Sequence, residues 1–356
     1  MNTLLTRDAF REGVFARDNH KCVVCGAPAV DAHHILERRL FPDGGYYLNN
    51  GASVCAEHHM ACEMTTITVE QIREYANIRK PVLPPHMYDD TTYDKWGNVV
   101  LDDGRRLRGE LFSDESVQKV LKQGGVLDTF VKYVKYPRTF HLPWSPGMHD
   151  DDRMMPDVGI FEGKRVIVHE KLDGENTSMY NDYIHARSVT SGGHPSRNWI
   201  RAFHGQVCAD IPEQWRFNVE NMYAKHSIKY NDLDTYGYLF AIWNENNVRL
   251  PWAETLEWCE LTGIHPCPFF YWGPYDRTRI DLAYKEYSSK LNREIEGYVI
   301  TIDEPFHFSQ FKHSVGKYVR KGHVQTTRHW MYGQPVEPNG LKPGLTGFER
   351  WRAEGT

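Results

Sequence analysis

The sequence predicts an α+β protein of more than one domain, and three observations carry that prediction. A Pro-rich break, Pro81-Val-Leu-Pro84-Pro85, interrupts the periodic structure early in the chain. Nearly all of the clustered Cys and His precede it, and short β-rich runs separated by helical patterns recur from Arg165 onward. The chain has 356 residues, and at roughly 150 residues per domain these signals divide it into residues 1–80, a connecting stretch 81–155, a larger unit 156–330 and a tail 331–356.

Taken in order, Arg7 to Arg17 places Phe10, Val14 and Phe15 on one helical face, and Thr68 to Ile78 opens with a Thr cap before Val69, Ile72 and Tyr75. The connecting stretch has turn signals at Trp96-Gly97-Asn98 and Asp103-Gly104 and one amphipathic helix, Ser113 to Lys122. Beyond it, Val166 to His169, Thr177 to Tyr180, Tyr236 to Trp243, Tyr298 to Ile302 and Val315 to Val319 read as strands. Trp252 to Thr262 reads as a helix among them, which suggests a domain built on antiparallel sheet. The tail from Gly333 is rich in Gly and Pro and reads as extended.

Composition excludes some classes of function. Forty-two Lys and Arg against 47 Asp and Glu leave a net charge of −5, so this is no histone-like polycation, and any nucleic-acid affinity must come from local patches or bound metal. With 40% hydrophobic, 25% charged and 13% aromatic residues, the chain has the composition of an ordinary folded protein rather than a disordered one. No apolar run approaches the ~20 residues that span a bilayer, and Met1 to Asp8 lacks the apolar core of a leader. A cytoplasmic protein without a membrane partner is the expectation, and seven cysteines, an odd number, fit poorly with a disulfide framework.

Three of those cysteines have metal-ligand spacing. Cys22-Val-Val-Cys25 and Cys55-Ala-Glu-His58 are two knuckles about thirty residues apart, which together supply the four soft ligands of a tetrahedral zinc site. Between and after them lie Asp31-Ala-His33-His34-Ile35, Asn49-Asn50 and His59. On these residues the segment from Phe10 to Glu63 resembles an HNH endonuclease module, a ββα-metal fold of the zinc-clamped kind. The resemblance implies that His33 and His59 bind a catalytic metal, that His34 is the general base and that Asn50 orients it. Glu63 stands where a further His often follows. The chemistry is coherent, because a neutral imidazole takes a proton from water near pH 7 while a hard divalent cation stabilises charge on a scissile phosphate.

The second constellation begins at His169-Glu170-Lys171-Leu172-Asp173-Gly174-Glu175-Asn176. Taken alone, Lys-x-Asp-Gly is equally a surface hairpin with Asp-Gly as its turn. What distinguishes it is the β-rich run ending at the Lys and the ordered segments that follow: His185-Ala-Arg187-Ser188, Val219-Glu220-Asn-Met-Tyr223, Tyr238-Leu-Phe240-Ala-Ile-Trp243, Glu296-Gly-Tyr-Val-Ile300 and Lys317-Tyr-Val-Arg320. On these, residues 155 to 325 resemble the covalent nucleotidyltransferases, the superfamily of polynucleotide ligases and capping enzymes. Asn176 points to the RNA ligase 2 branch.

The resemblance implies an adenylation domain, ATP-grasp-like, with antiparallel sheets. Lys171 would be the nucleophile, and Asp173 and Glu296 would hold metal-bound waters. Arg187 and Lys317 would meet phosphate, with Arg320, Lys321 or Lys312 as the second cation of the last motif. Glu220 would meet the ribose, Phe240 the adenine ring and Glu170 the adenine edge, with Asn176 also beside the nucleotide. About 35 residues follow the last motif, fewer than an OB domain needs, which favours an RNA ligase.

The function expected is therefore an ATP-dependent RNA ligase using Mg²⁺ or Mn²⁺, with a Zn²⁺-bearing HNH-like module that cuts or binds nucleic acid. RNA would be the partner, with DNA a further one. The contrasting expectation is a zinc endonuclease whose ligase-like domain only senses nucleotide.

Overall fold

In the first unit, helix α1 (Arg7–Arg17) is capped by Thr6, whose hydroxyl accepts from the Ala9 amide, and its i, i+4 pair Phe10 and Val14 is buried. Strands β1 (Asp31–His34) and β2 (Gly51–Val54) pair antiparallel, with Asp31 opposite Val54 and His34 opposite Gly51. Helix α2 (Ala56–Glu63) starts at once after Cys55, so strand, strand and helix follow in sequence. Helix α3 (Val69–Tyr75) carries a reciprocal cap between Thr68 and Gln71.

The computed structural model describes residues 3–148, 152–322 and 335–353, and the chain divides into two units, Met1–Lys132 and Tyr133–Thr356. The stretch after the Pro-rich break thus belongs to the first unit as far as Lys132. It contributes a short hairpin, β3 (Val99–Val100) and β4 (Arg106–Leu107), and helix α4 (Glu115–Gln123), capped by Asp114. Asp94 organises it: the buried carboxylate accepts from the Trp96 and Asn98 amides, from the Asn98 side chain and from Arg106 Nη1 at 3.0 Å. The Trp96 indole donates to the Glu63 carbonyl at 2.8 Å, so this stretch packs on the end of α2.

In chain order the second unit comprises β5 (Phe140–His141), β6 (Arg165–Glu170), β7 (Glu175–Met179), β8 (Ile184–Ala186), α5 (Asn198–Val207), β9 (Arg216–Asn221), β10 (Gly237–Trp243) and β11 (Val248–Arg249). There follow α6 (Trp252–Thr262), β12 (His265–Pro266), β13 (Phe269–Pro274), α7 (Arg277–Lys290), β14 (Gly297–Ile302), β15 (Phe306–His307), α8 (Phe311–Ser314) and β16 (Val315–Val319). They form two sheets. One has five strands in the order β13-β6-β14-β16-β5; the other has seven, in the order β15-β11-β10-β9-β7-β8 with β12 joined to β10. Pairing is antiparallel except at β10/β12 and β16/β5.

Each sheet buries its outer face under helices. Val219, Leu239 and Ile242 pack with Trp199, Phe203 and Cys259 from α5 and α6, whereas Val166, Val168 and Ile300 pack with Ile280 of α7. The other faces are left for the site. The Gly- and Pro-rich tail is extended, as its composition implies, but tied down over residues 335–353: Asn339 is buried, donates to the Met222 carbonyl at 2.8 Å and accepts from the Tyr230 amide at 3.0 Å. Residues 333 and 334 lie outside the described residues.

Candidate active site and metal centres

A cavity of about 900 Å³ opens in the second unit, and strand periodicity explains what lines it. Side chains two residues apart share a face, and directly paired residues on neighbouring strands lie side by side. The register sets His169 opposite Val299 and Val299 opposite Lys317, with Thr301 opposite Val315. Lys171, two residues past His169, and these five residues all line the cavity. The seven-stranded sheet contributes Asn176, Glu220, Phe240, Trp243 and Arg249.

Lys171-Leu-Asp-Gly is not a hairpin turn. β6 belongs to the five-stranded sheet and β7 to the seven-stranded one, so the motif is the crossing between them and Lys171 stands at the crossing point. Gly174 is required there: a Cβ would lie 2.6 Å from Met222 Sδ and 2.7 Å from the Asn221 carbonyl. Gly297 is required for the same reason, since its Cβ would meet the Tyr318 carbonyl at 1.9 Å, and its own carbonyl receives the Lys171 amide at 2.9 Å.

Lys171 Nζ lies 2.6 Å from Glu296 Oε1. Burial pulls the ammonium pKa down, but Glu296, with Glu220 and Asp173 further off, outweighs it and holds the pKa above the usual lysine value. Glu220 shows the converse. Burial, reinforced by Glu296 and Asp173, outweighs the attraction of Lys171 and raises its carboxyl to about 8. Asn176, opposite Glu220 in the register, keeps a buried Oδ1 with no partner among the described residues.

The raised Glu220 pKa has a consequence for stability. Because the folded value exceeds the ordinary carboxyl value of 4.5, the folded chain retains a proton that the unfolded chain has lost between pH 4.5 and about pH 8. Stability therefore falls as pH rises through that window. Glu220→Gln is expected to match wild type at pH 4 and to be more stable at pH 8.5, by roughly 3 kcal/mol. Urea melts at the two pH values test this, and equal gains at both would contradict it.

Phe240 owes its position to a β-bulge. The β9/β10 register runs Leu239 opposite Val219 and then Ala241 opposite Asn218, so Phe240 is the extra residue. The bulge reverses the side-chain alternation and turns Ala241 and Trp243 toward the cavity. Tyr136 stands edge-on to Phe240 at 5.5 Å between ring centroids. Arg187 lines the cavity with Arg138; burial and that neighbouring guanidinium lower its pKa, the electrostatics of a place suited to an anion.

Lys317 has partners that sequence reasoning missed. Its Nζ lies 3.4 Å from Asp152 Oδ1, and Asp152 Oδ2 lies 3.1 Å from the Nε2 of fully buried His141, whose Nδ1 meets Ser145 Oγ at 2.8 Å. Burial chiefly, with Lys171 nearby, lowers the Lys317 pKa. Nothing in the sequence marks Asp152, the last of three consecutive aspartates, as different from a solvated charge run.

Three further residues are placed otherwise than the resemblance implied. The Glu170 carboxylate is fully buried and held by Arg293, Nη1 at 2.5 Å and Nη2 at 2.9 Å, and by Tyr287 Oη at 2.6 Å, so it is committed to a structural network rather than to an adenine edge. Strand alternation is the reason: His169 and Lys171 face the cavity, so the side chain between them does not. Asp173 Oδ2 accepts from the Ser227 amide at 2.8 Å, the Ser227 hydroxyl at 2.6 Å and the Ile228 amide at 2.8 Å, which makes it the anchor of that loop. Arg320 does not line the cavity; it donates to the Ile295 carbonyl at 2.9 Å and pairs with Glu294. Arg293→Ala is expected to cost about 3 kcal/mol, because it leaves a buried carboxylate without its cation. An unchanged urea midpoint would contradict this.

The first unit brings both predicted metal-ligand sets together. The ligand atoms of Cys22, Cys25, Cys55 and His58 all lie within 4.8 Å of one another. Cys25 and Cys55 Sγ are 3.9 Å apart, and His58 Nδ1 is 3.6 Å from Cys22 Sγ. A tetrahedron with Zn–S bonds of about 2.3 Å has edges of about 3.8 Å, so the donor set fits zinc. Backbone amides of Cys55, Cys25 and Val24 outweigh burial at Cys22 and lower its thiol to about 7.

His33, His59 and Glu63 form the second set, also within 4.8 Å. Asp31 Oδ2 lies 3.2 Å from His59 Nε2. Lys95, which sequence reasoning missed, places Nζ 3.1 Å from Glu63 Oε1 and donates to the His34 carbonyl at 2.8 Å. His34 stacks on Phe10 at 4.5 Å, and its buried Nε2 has no partner among the described residues. Asn50 acts on backbone: its Oδ1 accepts from the Leu36 amide at 3.0 Å, and its Nδ2 donates to the Leu36 and Gly45 carbonyls at 3.1 and 3.2 Å. It therefore fixes the exit of β1 rather than touching the His34 ring.

Among solved structures, the chain is similar to an archaeal ATP-dependent RNA ligase in two forms. The first is 13% identical, covering 53% of this chain and 48% of that one, with a TM-score of 0.33; the second is 15% identical, covering 52% and 48%, with a TM-score of 0.35. The chain spans about half the length of these ligases. It is also similar to the Naegleria gruberi RNA ligase with PPi, at 13% identity over 78% of this chain and 72% of that one, with a TM-score of 0.36. No curated protein matches the chain. The RNA ligase family model matches residues 164–319, a span that runs from the start of β6 to the end of β16 and takes in both sheets around Lys171. Over residues 164–319, less than half of the chain, it is similar to the RNA ligase family.

Proposed function

We propose that the second unit is an ATP-dependent RNA ligase that works through a lysyl-AMP intermediate. The observation that carries this reading is the pairing of Lys171 with Glu296 at 2.6 Å in a cavity whose other walls hold Lys317, Arg187 and Glu220. In the first step Lys171 Nζ attacks the α-phosphate of ATP and pyrophosphate leaves. The AMP then passes to an RNA 5′-phosphate, and a 3′-hydroxyl displaces it to seal the strand. Mg²⁺ or Mn²⁺ bound near Glu296 would supply charge neutralisation on the phosphates. Lys317 and Arg187 meet the phosphoryl oxygens, Glu220 takes the ribose hydroxyls, and Asn176 Oδ1 accepts from the nucleotide or its water shell. The test is a 5′-phosphorylated RNA incubated with ATP and Mg²⁺: adenylated RNA, joined strands and released AMP are expected. Strand cleavage without joining or AMP release would replace this reading with that of a nuclease whose second unit senses nucleotide.

For the first unit we propose a structural zinc at Cys22, Cys25, Cys55 and His58, and an HNH-type centre in which His33, His59 and Glu63 hold a divalent cation. The observation favouring it is that two ligand sets converge within one strand-strand-helix segment and the stretch just before it. A cation there would stabilise a scissile phosphate while His34 takes a proton from water. RNA is the first substrate to try and DNA the second, with His34→Ala as the inactive control.

A further inference from the structure

The cavity of the second unit has a second polar cluster, away from the lysines, to which the ligase reading assigns no work. His169 lies two residues before Lys171 on the same face of β6, about 7 Å along the strand. Thr301 and Val315 lie one pair further in the same direction. Across from them the bulge at Phe240 turns Trp243 inward, and the register sets Trp243 opposite Arg249 of β11. Three polar atoms on these cavity-lining residues are buried without a partner among the described residues: His169 Nε2, Trp243 Nε1 and Arg249 Nη2. The residues themselves are 4%, 0% and 2% exposed.

Arg249 is the most demanding of the three. Its Nη1 donates to the Leu250 carbonyl at 3.0 Å and its guanidinium faces the Phe306 ring at 5.8 Å. Among the described residues, no carboxylate forms an ion pair with it. A guanidinium buried in this way is costly unless something supplies acceptors. His169, on the same cavity, is neutral at pH 7, because burial and the charge of Arg249 both oppose its protonation. Its Nδ1–H tautomer leaves Nε2 as an acceptor.

A donor and an acceptor facing one cavity complement an edge of adenine, which offers a ring nitrogen next to an exocyclic amine. The position agrees: with the α-phosphate at Lys171 and the base against Phe240, the base reaches the level of His169 and Val299. We propose that Arg249 and His169 read the nucleobase edge, Arg249 Nη2 donating to a ring nitrogen and His169 Nε2 accepting from the exocyclic amine. This rests on the ATP reading above and makes Arg249 and His169 specificity residues for that nucleotide. Trp243 closes the wall behind them.

The experiment measures covalent labelling of the full-length chain, freed of bound AMP with pyrophosphate, over a concentration series of nucleoside triphosphates. The probes are ATP, its 1-deaza, 3-deaza and 7-deaza analogues, and purine riboside triphosphate, which lacks the amine. In wild type, one deaza analogue and the amine-free analogue are each expected to raise the half-saturating concentration at least tenfold. Arg249→Met is expected to raise it for ATP and to abolish the penalty for the missing ring nitrogen, leaving the penalty for the missing amine.

Equal half-saturation of wild type by every analogue would overturn the inference and leave the ligase reading standing, and this arm needs no variant to fold. Half-saturation of Arg249→Met by ATP at the wild-type concentration would overturn it equally. Failure of every nucleotide, ATP included, to label the folded wild type would overturn the ligase reading, and the inference with it.

Discussion

Lys171→Ala is expected to abolish transfer of label from α-labelled ATP to the denatured chain, a loss of several orders of magnitude rather than a partial one. The Nζ atom is the proposed nucleophile, and Lys317, which lies on β16 and is paired with Asp152, does not substitute for it. Lys171→Arg is expected to be equally inactive, because a guanidinium keeps its proton and is no nucleophile. The variants are expected to fold, since the Lys171 side chain is about one-quarter exposed (26%) and packs no core. A melt close to that of wild type would separate chemistry from folding.

The same geometry sets the pH dependence. With Glu296 holding the ammonium pKa above the ordinary lysine value, the neutral amine is scarce at pH 7 and gains tenfold per pH unit. Labelling of wild type is expected to rise from pH 6 through pH 9. Full labelling of Lys171→Ala would end the lysyl-AMP reading; a profile flat with pH would show that amine deprotonation does not limit the step.

Removal of zinc is expected to have the next largest effect, on the first unit alone. Structural zinc sites of this donor type bind with about 10–16 kcal/mol, as much as the whole stability of a small domain. Cys55→Ser removes a thiolate from a set in which each ligand atom is within 4.8 Å of the others. It is expected to lower zinc content, which should be one ion per chain at this set, and to unfold residues 1–132 at room temperature. Limited proteolysis and elemental analysis would report both changes. Labelling of Lys171 by ATP is expected to survive, since every cavity residue comes from the second unit. Complete loss of labelling in Cys55→Ser would show that the two units do not act independently.

Much of this was legible in order along the chain. The helices Arg7–Arg17 and Trp252–Thr262 occur as their patterns predict, and the strand runs ending at His169 and Trp243 need only small changes of boundary. Helix α5 was not recognised, although Trp199, Ile200, Phe203 and Val207 have helical spacing and are buried, because its N-cap position is Arg197, which makes no side-chain cap, and an irregular Gly-Gly-His-Pro segment precedes it. Strand β9 was seen only as the surroundings of Glu220, since its alternation mixes Asn and Arg with Phe and Val. The bulge at Phe240 was not legible at all: a one-residue shift leaves no mark in a run of apolar residues, yet it decides which of them face the cavity.

The sequence by itself determined which chemistry is available: a lysine at the end of a strand, a glycine directly after the next acid, and four soft ligands in two knuckles. Local spacing carries such information because residue type and period are properties of adjacent positions. Only the tertiary structure decided where each group is spent. Glu170 and Arg293, Lys317 and Asp152, and Asp173 and Ser227 are separated by 123, 165 and 54 residues, and the choice between a cavity-facing carboxylate and a buried ion pair is made by the partner that folding brings near. Arg249 is the clearest case: in sequence it is one arginine among many, and what sets it apart is burial on the cavity wall without a carboxylate among the described residues. Desolvation gives such a group its energetic weight, and desolvation is a property of the packed chain.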